Sequence, residues 1–300
     1  DMDASTEGTC LLNFTCSEDA SAISARMELP SGFEYAGHER LLMDGTASPC
    51  PPAQRDRTVE WDLSNALRAR KHVIINEWDQ NPKGNDYGRE WIELYNPALQ
   101  AEDISGWKIA DSQSGREMPI SSGTVIAAGD YLLFNWTQKS LINSNYTCLI
   151  LRDGAGREVD RTSPGKDDKN SDHCWGRYHD GKDLDCDLDW RFMAATPGSS
   201  NGGSPADIYS GQSLALQFNI TAGCEAALES RLSASIGSAS GTSASSEAAV
   251  AVRRANISLS VTPDRYDVAR GDAISWCLLL ENMGDGAARA VAVNATLAGQ

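Results

Sequence analysis

Long apolar runs are missing from these 300 residues. Segments such as Thr147–Leu151 and Trp276–Leu280 fall far short of the ~20 residues a membrane helix needs, so no membrane insertion is expected within the chain. Basic residues are scarce: 26 Lys and Arg stand against 42 Asp and Glu, for a net charge of −16. Nucleic acid would meet a repulsive field, because its affinity comes largely from cations neutralising phosphates. An acidic surface suits salty media and divalent cations instead. No stretch keeps a 3.6-residue apolar period over three turns, beyond a short segment at Ala222–Leu232, which argues against a helical bundle. Catalytic signatures are missing too. There is no GxSxG or HExxH, and Gly176–Lys182 imitates a phosphate loop only as far as Asp183, where Ser or Thr would have to meet magnesium. Neither catalysis nor a cofactor is expected.

CxxC pairs are also lacking, although cysteines stand at Cys10, Cys16, Cys50, Cys148, Cys174, Cys186, Cys224 and Cys277. An even, scattered set in loop-rich sequence fits disulfides better than zinc, with Cys174–Cys186 closing a hairpin as the local pair. The remaining connectivity is open. Sequons at Asn13, Asn135, Asn145, Asn219, Asn256 and Asn294 add glycans attached to Asn. Together these features predict an extracellular, cell-surface location. The first residues carry no basic and apolar leader, so the expectation is a removed signal peptide or an excerpt of a longer protein.

What is present is strand signal. Ser21–Leu29, Thr58–Leu63, His72–Glu77, Glu90–Tyr95, Trp107–Ala110, Tyr131–Asn135 and Thr147–Arg152 are short runs bounded by Gly, Pro, Asn or Asp. Leu214–Ile220, Leu232–Ile236, Ala248–Val252 and Ile257–Val261 continue the pattern. Many short strands at near-regular spacing predict an all-β chain of tandem immunoglobulin-like β-sandwiches. Pro197–Pro205 reads as a domain edge, and Ser233–Glu247 as either a flexible segment or an edge strand of small residues. An internal repeat relates the segment from Cys277 to that from Cys10 at an offset of about 267 residues.

The stretch from Val73 to Gly202 carries Ile75-Asn76-Glu77, Asn81-Pro82, Glu90-Trp91-Ile92-Glu93-Leu94-Tyr95-Asn96-Pro97 and Asp103-Ile104-Ser105-Gly106-Trp107. Ile126–Leu132, Trp175-Gly176-Arg177-Tyr178 and Ala195-Thr196-Pro197-Gly198 follow in order. It resembles the lamin-tail domain, an immunoglobulin-like sandwich. The flanks, through Leu29–Tyr35, Val59–Leu63, Gly211–Leu216 and Val268–Gly286, resemble a repeat domain found in tandem on archaeal and bacterial surface proteins. These resemblances imply three units. Residues 1–71 plus 204–252 would form a discontinuous surface-repeat sandwich, 72–203 an inserted lamin-tail domain, and 253–300 a partial second repeat.

Two further features bear on binding. Aspartates at Asp183, Asp185, Asp187 and Asp189 alternate as if on one face of a strand, where their repulsion favours a bound cation such as calcium, the alternative being a solvated acidic face. Trp91, Trp107 and Trp175 are expected in the core, whereas Trp136, inside the Asn135 sequon, is expected near the surface. The function expected is a structural subunit of an extracellular microbial, most simply archaeal, assembly such as a sheath, surface layer or filament. Its partner would be further copies of itself. The alternative is an adhesin or glycan- or protein-binding surface module that uses calcium.

Overall fold

The computed structural model describes residues 2–3, 6–184, 187–203, 205–223, 225–267, 275–288, 291 and 293. The first strands are β1 (Met2–Asp3), β2 (Glu7–Thr15), β3 (Ser24–Glu28), β4 (Phe33–Met43), β5 (Thr46–Ser48), β6 (Ala53–Arg55) and β7 (Thr58–Asp62). A short helix, α1 (Leu63–Arg68), follows. Then come β8 (Ile74–Asp79), β9 (Trp91–Tyr95), β10 (Glu102–Asp103), β11 (Lys108–Asp111), β12 (Glu117–Pro119) and β13 (Val125–Ile126). Next are β14 (Tyr131–Asn135), β15 (Leu149–Arg152), β16 (Glu158–Arg161), β17 (His173–Arg177) and β18 (Trp190–Ala194). The last are β19 (Ser213–Ala222), β20 (Glu229–Gly237), β21 (Ser243–Arg253), β22 (Ile257–Pro263) and β23 (Trp276–Asn282). The all-β expectation holds.

Two cores organise these strands. The first is shared by residues from both sides of a long excursion: Met27, Leu41, Trp61 and Leu67 before it, Leu216, Phe218 and Leu232 after it. Its sheets run β1-β21-β20-β3-β7-β6 and β2-β19-β4-β5. Period-two alternation dictates the facing: in β3 only Ala25 and Met27 are buried, in β7 Val59 and Trp61 are the most buried, and Leu214, Leu216, Phe218, Ile220 and Ala222 point inward from β19. Trp61 and Phe218 meet at 4.9 Å between ring centroids, joining the two sheets.

The second core uses residues 73–190 alone. A sheet ordered β14-β9-β8-β17-β18 packs on β12-β11-β15-β16 through Trp78, Ile92, Leu94, Ile109, Leu149 and Leu151. Every residue of β8 and β9 is buried, because both faces of these central strands are covered.

The chain leaves and re-joins the first sandwich at one place. The strand signal read through Leu63 stops one residue earlier, where the Asp62 carboxylate accepts the Asn65 N–H at 2.9 Å and caps α1. Buried Asp207, on the returning segment, accepts Arg68 Nε at 2.5 Å, Ser64 Oγ at 2.5 Å and the Ala22 N–H at 2.9 Å. Lys71 Nζ donates to Ala206 O at 2.8 Å beside it. Outgoing and returning strands are therefore clasped together.

One local expectation fails and another is met in part. Ala222–Leu232 holds no helix among its described residues, because the chain turns tightly over Gly32 there. Gly32 has φ +82, and a Cβ on it would lie 2.5 Å from Ala226 N, so only glycine admits the crossing. Ser233–Glu247, read as flexible or as an edge strand, forms most of β20, which lies inside its sheet, and the start of β21, whose Ser243–Glu247 pairs on one side only and is the edge strand among the described residues.

Candidate self-association surface and polar latch

The first sandwich is incompletely filled. β2 is an edge strand, and its inward residues Cys10, Leu12 and Phe14 stay half-buried. Opposite lie Leu232, Ile236 and Val250, and the space between is a slot of about 540 Å³. β21 (SASSEAAVAVR) faces the slot with Ala244 and Ala248, which are too small to close it.

The C-terminal hairpin shows the converse. β22 and β23 pair antiparallel as a free two-stranded sheet, with Leu259 opposite Leu280, Val261 opposite Leu278 and Pro263 opposite Trp276. Directly opposed residues share a face, so Ile257, Leu259, Val261, Trp276, Leu278 and Leu280 form one apolar face. Each is more than a third exposed. An isolated hairpin is marginal in water, and its exposed apolar face makes it a candidate contact surface.

In the second sandwich the motif residues build a latch. Glu77 Oε1 accepts the Thr196 N–H at 2.8 Å, Thr196 Oγ1 at 3.1 Å and Cys174 Sγ at 2.9 Å. Glu93 accepts the Gly198 N–H at 2.6 Å and Asn76 Nδ2 at 3.3 Å. Asp180 accepts Asn76 Nδ2 at 2.9 Å, the Asn201 N–H at 3.0 Å, Tyr131 OH at 3.0 Å and Ser200 Oγ. These bonds tie the 196–201 segment onto β8 and β9. Burial raises the Glu77 carboxyl and pushes Glu93 up to about 7, against the hydrogen bonds that favour its ionised form. Burial, reinforced by Glu77, likewise raises the Cys174 thiol. Among the described residues Arg177 is the one buried cation. Its guanidinium donates to Asp160 at 2.7 Å, Asp183 at 3.1 Å and the Ile75 carbonyl at 2.8 Å, lies 3.6 Å from buried Asp189, and stacks on Trp190 at 4.8 Å.

That arrangement corrects the aspartate reading. Residues Asp187–Asp189 form a 3-10 turn, not a strand, and Asp189 accepts the Leu184 N–H at 2.7 Å while facing Arg177. Asp183 is spent on the same guanidinium, Asp187 is exposed, and Asp185 lies outside the described residues. Arg177 supplies the positive charge that a cation was expected to bring. Among the described residues no three His, Cys, Asp or Glu side chains converge as a metal set.

The cysteine reading is corrected as well. Cys10, Cys16, Cys50, Cys148, Cys174 and Cys277 are free thiols, and Cys186 and Cys224 lie outside the described residues. Cys174 does not bridge to Cys186, because its sulfur is turned inward to Glu77, and Cys50 Sγ contacts Asp62 O at 3.8 Å. Trp136 is likewise core, 1% exposed, with Nε1 donating to Lys139 O at 3.1 Å. Strand alternation leaves the adjoining Asn135 exposed instead. Asn13, Asn145 and Asn256 are also exposed. Asn219 is half-buried between Thr9 and Glu7, and Asn294 is outside the described residues. The latch partners Asp180 and Asn201 escaped sequence reasoning, since nothing in their local pattern marks them.

No curated protein matches the chain. The matched segment is the one that supplies β8 to β16. It ends before β17 and β18, which complete the same sheet. Residues 67–166, a third of the chain, match the Lamin Tail Domain family.

Proposed function

We propose that this chain is a structural subunit of an extracellular microbial surface assembly, a sheath, surface layer or filament, archaeal by the resemblance of its flanking repeats. Copies join when the hairpin of one molecule lays its apolar face into the slot of the next, adding β22 beside the free edge of β2. The observation that carries this reading is the presence, on one chain, of an uncovered apolar hairpin and an unfilled apolar slot. The hairpin does not serve its own slot: no residue of β22 or β23 lines it. Its base is pinned to the connecting backbone, with Gly286 N–H donating to Arg254 O at 3.0 Å and Met283 N–H to Asn256 O at 2.7 Å. A contact between two different patches of identical subunits repeats head to tail and, unless it closes into a ring, grows an open polymer. Exposed Asn13, Asn135, Asn145 and Asn256 support export with attached glycans.

The test is sedimentation and negative-stain electron microscopy of the full chain against concentration. Ordered polymers that Val261→Asp abolishes, and that retain the monomer's melting temperature, are the expected result. Monodisperse particles at high concentration would overturn the reading and put the adhesin first.

A further inference from the structure

At the corner where β8 passes into β9, four side-chain oxygens are buried without a hydrogen-bond partner. Glu90 is 0% exposed, and neither of its carboxylate oxygens is bonded. Gln80, also 0% exposed, has an unbonded Oε1, and so does Asn143 at its Oδ1. These three residues gather around one turn. Gln80 Nε2 donates to Ile142 O at 3.1 Å, the Glu90 carboxylate lies against the Leu141 amide, and Asn143 Nδ2 donates to Asp86 Oδ2 at 2.5 Å. Asp86 is in turn fixed to the Glu90 backbone, whose N–H donates to Asp86 O at 3.2 Å. The Trp136 N–H closes the far side on Glu90 O at 2.8 Å.

A buried, unpaired carboxylate costs several kcal/mol, and an unpaired buried amide oxygen adds to that. Each amide nitrogen is anchored by one hydrogen bond, which orients the amide and leaves its oxygen unbonded. What is missing is a positive partner that accepts several oxygens at once. Among the described residues no lysine or arginine pairs with Glu90, unlike Arg177 with Asp160 and Asp189 in the same module.

We propose that this corner binds a calcium ion, held bidentate by Glu90 and by the side-chain oxygens of Gln80 and Asn143. Four protein oxygens leave two to four positions of calcium's six to eight for water or backbone carbonyls. The neutral amides suit calcium better than magnesium, which demands strict octahedral geometry and surrenders its waters reluctantly. Asp86 is the positioning residue: it holds the Asn143 amide so that Oδ1 faces inward, and its charge adds to the field. Asn143 is only half-buried and gives the ion its way in. The ion would staple the 80–90 loop to the 136–143 turn, two segments otherwise joined by few bonds. Being one carboxylate and two amides, the nest differs in kind from the aspartate run at 183–189.

The experiment titrates the full chain, stripped with a chelator, with terbium and then calcium. Emission sensitised by tryptophan excitation is read, because Trp136 and Trp91 adjoin Glu90. Bound terbium that calcium displaces, and a melting temperature that calcium raises while equimolar magnesium does not, are expected. Glu90→Gln should weaken calcium more than about a hundredfold while the calcium-free protein melts no lower than the parent, because the isosteric amide keeps the packing and carries no charge to bury. Should Glu90→Gln fail to fold, Asp86→Asn, at a half-exposed position, is expected to weaken calcium by about tenfold. No sensitised emission from the parent chain overturns the proposal, and so does emission that both variants leave unchanged.

Discussion

The two sandwiches of this chain solve the same packing problem differently. The inserted one is closed: both faces of β8 and β9 are covered, its apolar core is sealed by Trp78 and Trp136, and its buried carboxylates are mostly engaged by Arg177, Asn76, Thr196 and Asn201. The flanking one is open, with Leu12 and Phe14 half-buried beside an unpaired strand edge and alanines where larger residues would fill the gap. A closed apolar core needs no partner to bury it, even where a polar corner such as that at Glu90 has room for an ion. An open one has unburied apolar area, which at about 25 cal/mol per Å² is the largest favourable term available to a partner. The contrast gives the flanks the surface that an assembly would use and leaves the apolar core of the insert complete.

The sharpest way to break the contrast is to charge the hairpin. Leu259→Asp or Val261→Asp should eliminate polymer in light scattering, with monomer stability changed by no more than about 0.5 kcal/mol, because both residues are exposed in the monomer. Next in size, Arg177→Ala strands Asp160 and Asp189 as buried charges and should cost about 3–5 kcal/mol in urea denaturation. If the modules are independent, only the insert's transition moves, and assembly survives.

A milder probe is pH. Glu77 and Glu93 are raised in the folded state, Glu93 to about 7, so the native protein holds protons that the unfolded chain has released above about pH 4.5. Unfolding then releases protons, and these groups make stability fall as pH rises from about 4.5 through 7. The insert's melting temperature should drop by several degrees over that window in calorimetry, and Glu93→Gln should flatten the slope. Smallest is Thr196→Val, which removes the hydroxyl that Asn201 Oδ1 and Glu77 share and should cost about 1 kcal/mol.

Much of the fold could be read from the sequence because strands here announce themselves by their borders. β3, β7, β9, β14 and β22 lie within a few residues of runs flanked by Gly, Pro, Asn or Asp. β4 gave no such signal: Gly37 and His38 sit at positive φ, and the register against β19 shifts there, so a bulge breaks the alternation that marks a strand. The latch was legible only in part. Asn76, Glu77, Glu93 and Thr196 stand in quotable motifs, but their partner Asp180 lies 104 residues from Asn76 and gives no local sign. The aspartates at 183–189 misled for the opposite reason. Their period was strand-like, yet one buried guanidinium bends the segment into a turn and takes two of the carboxylates.

The clasp formed by Arg68, Ser64 and Asp207 has a mechanical side. The clasp joins the outgoing and returning segments ahead of Val73, so a pull applied across β7 and β19 would be borne by the clasp first. The lamin-tail-like module then hangs beside the load path. It stays folded under a pull that would strip a module wired in series, and it unravels only after the clasp has torn.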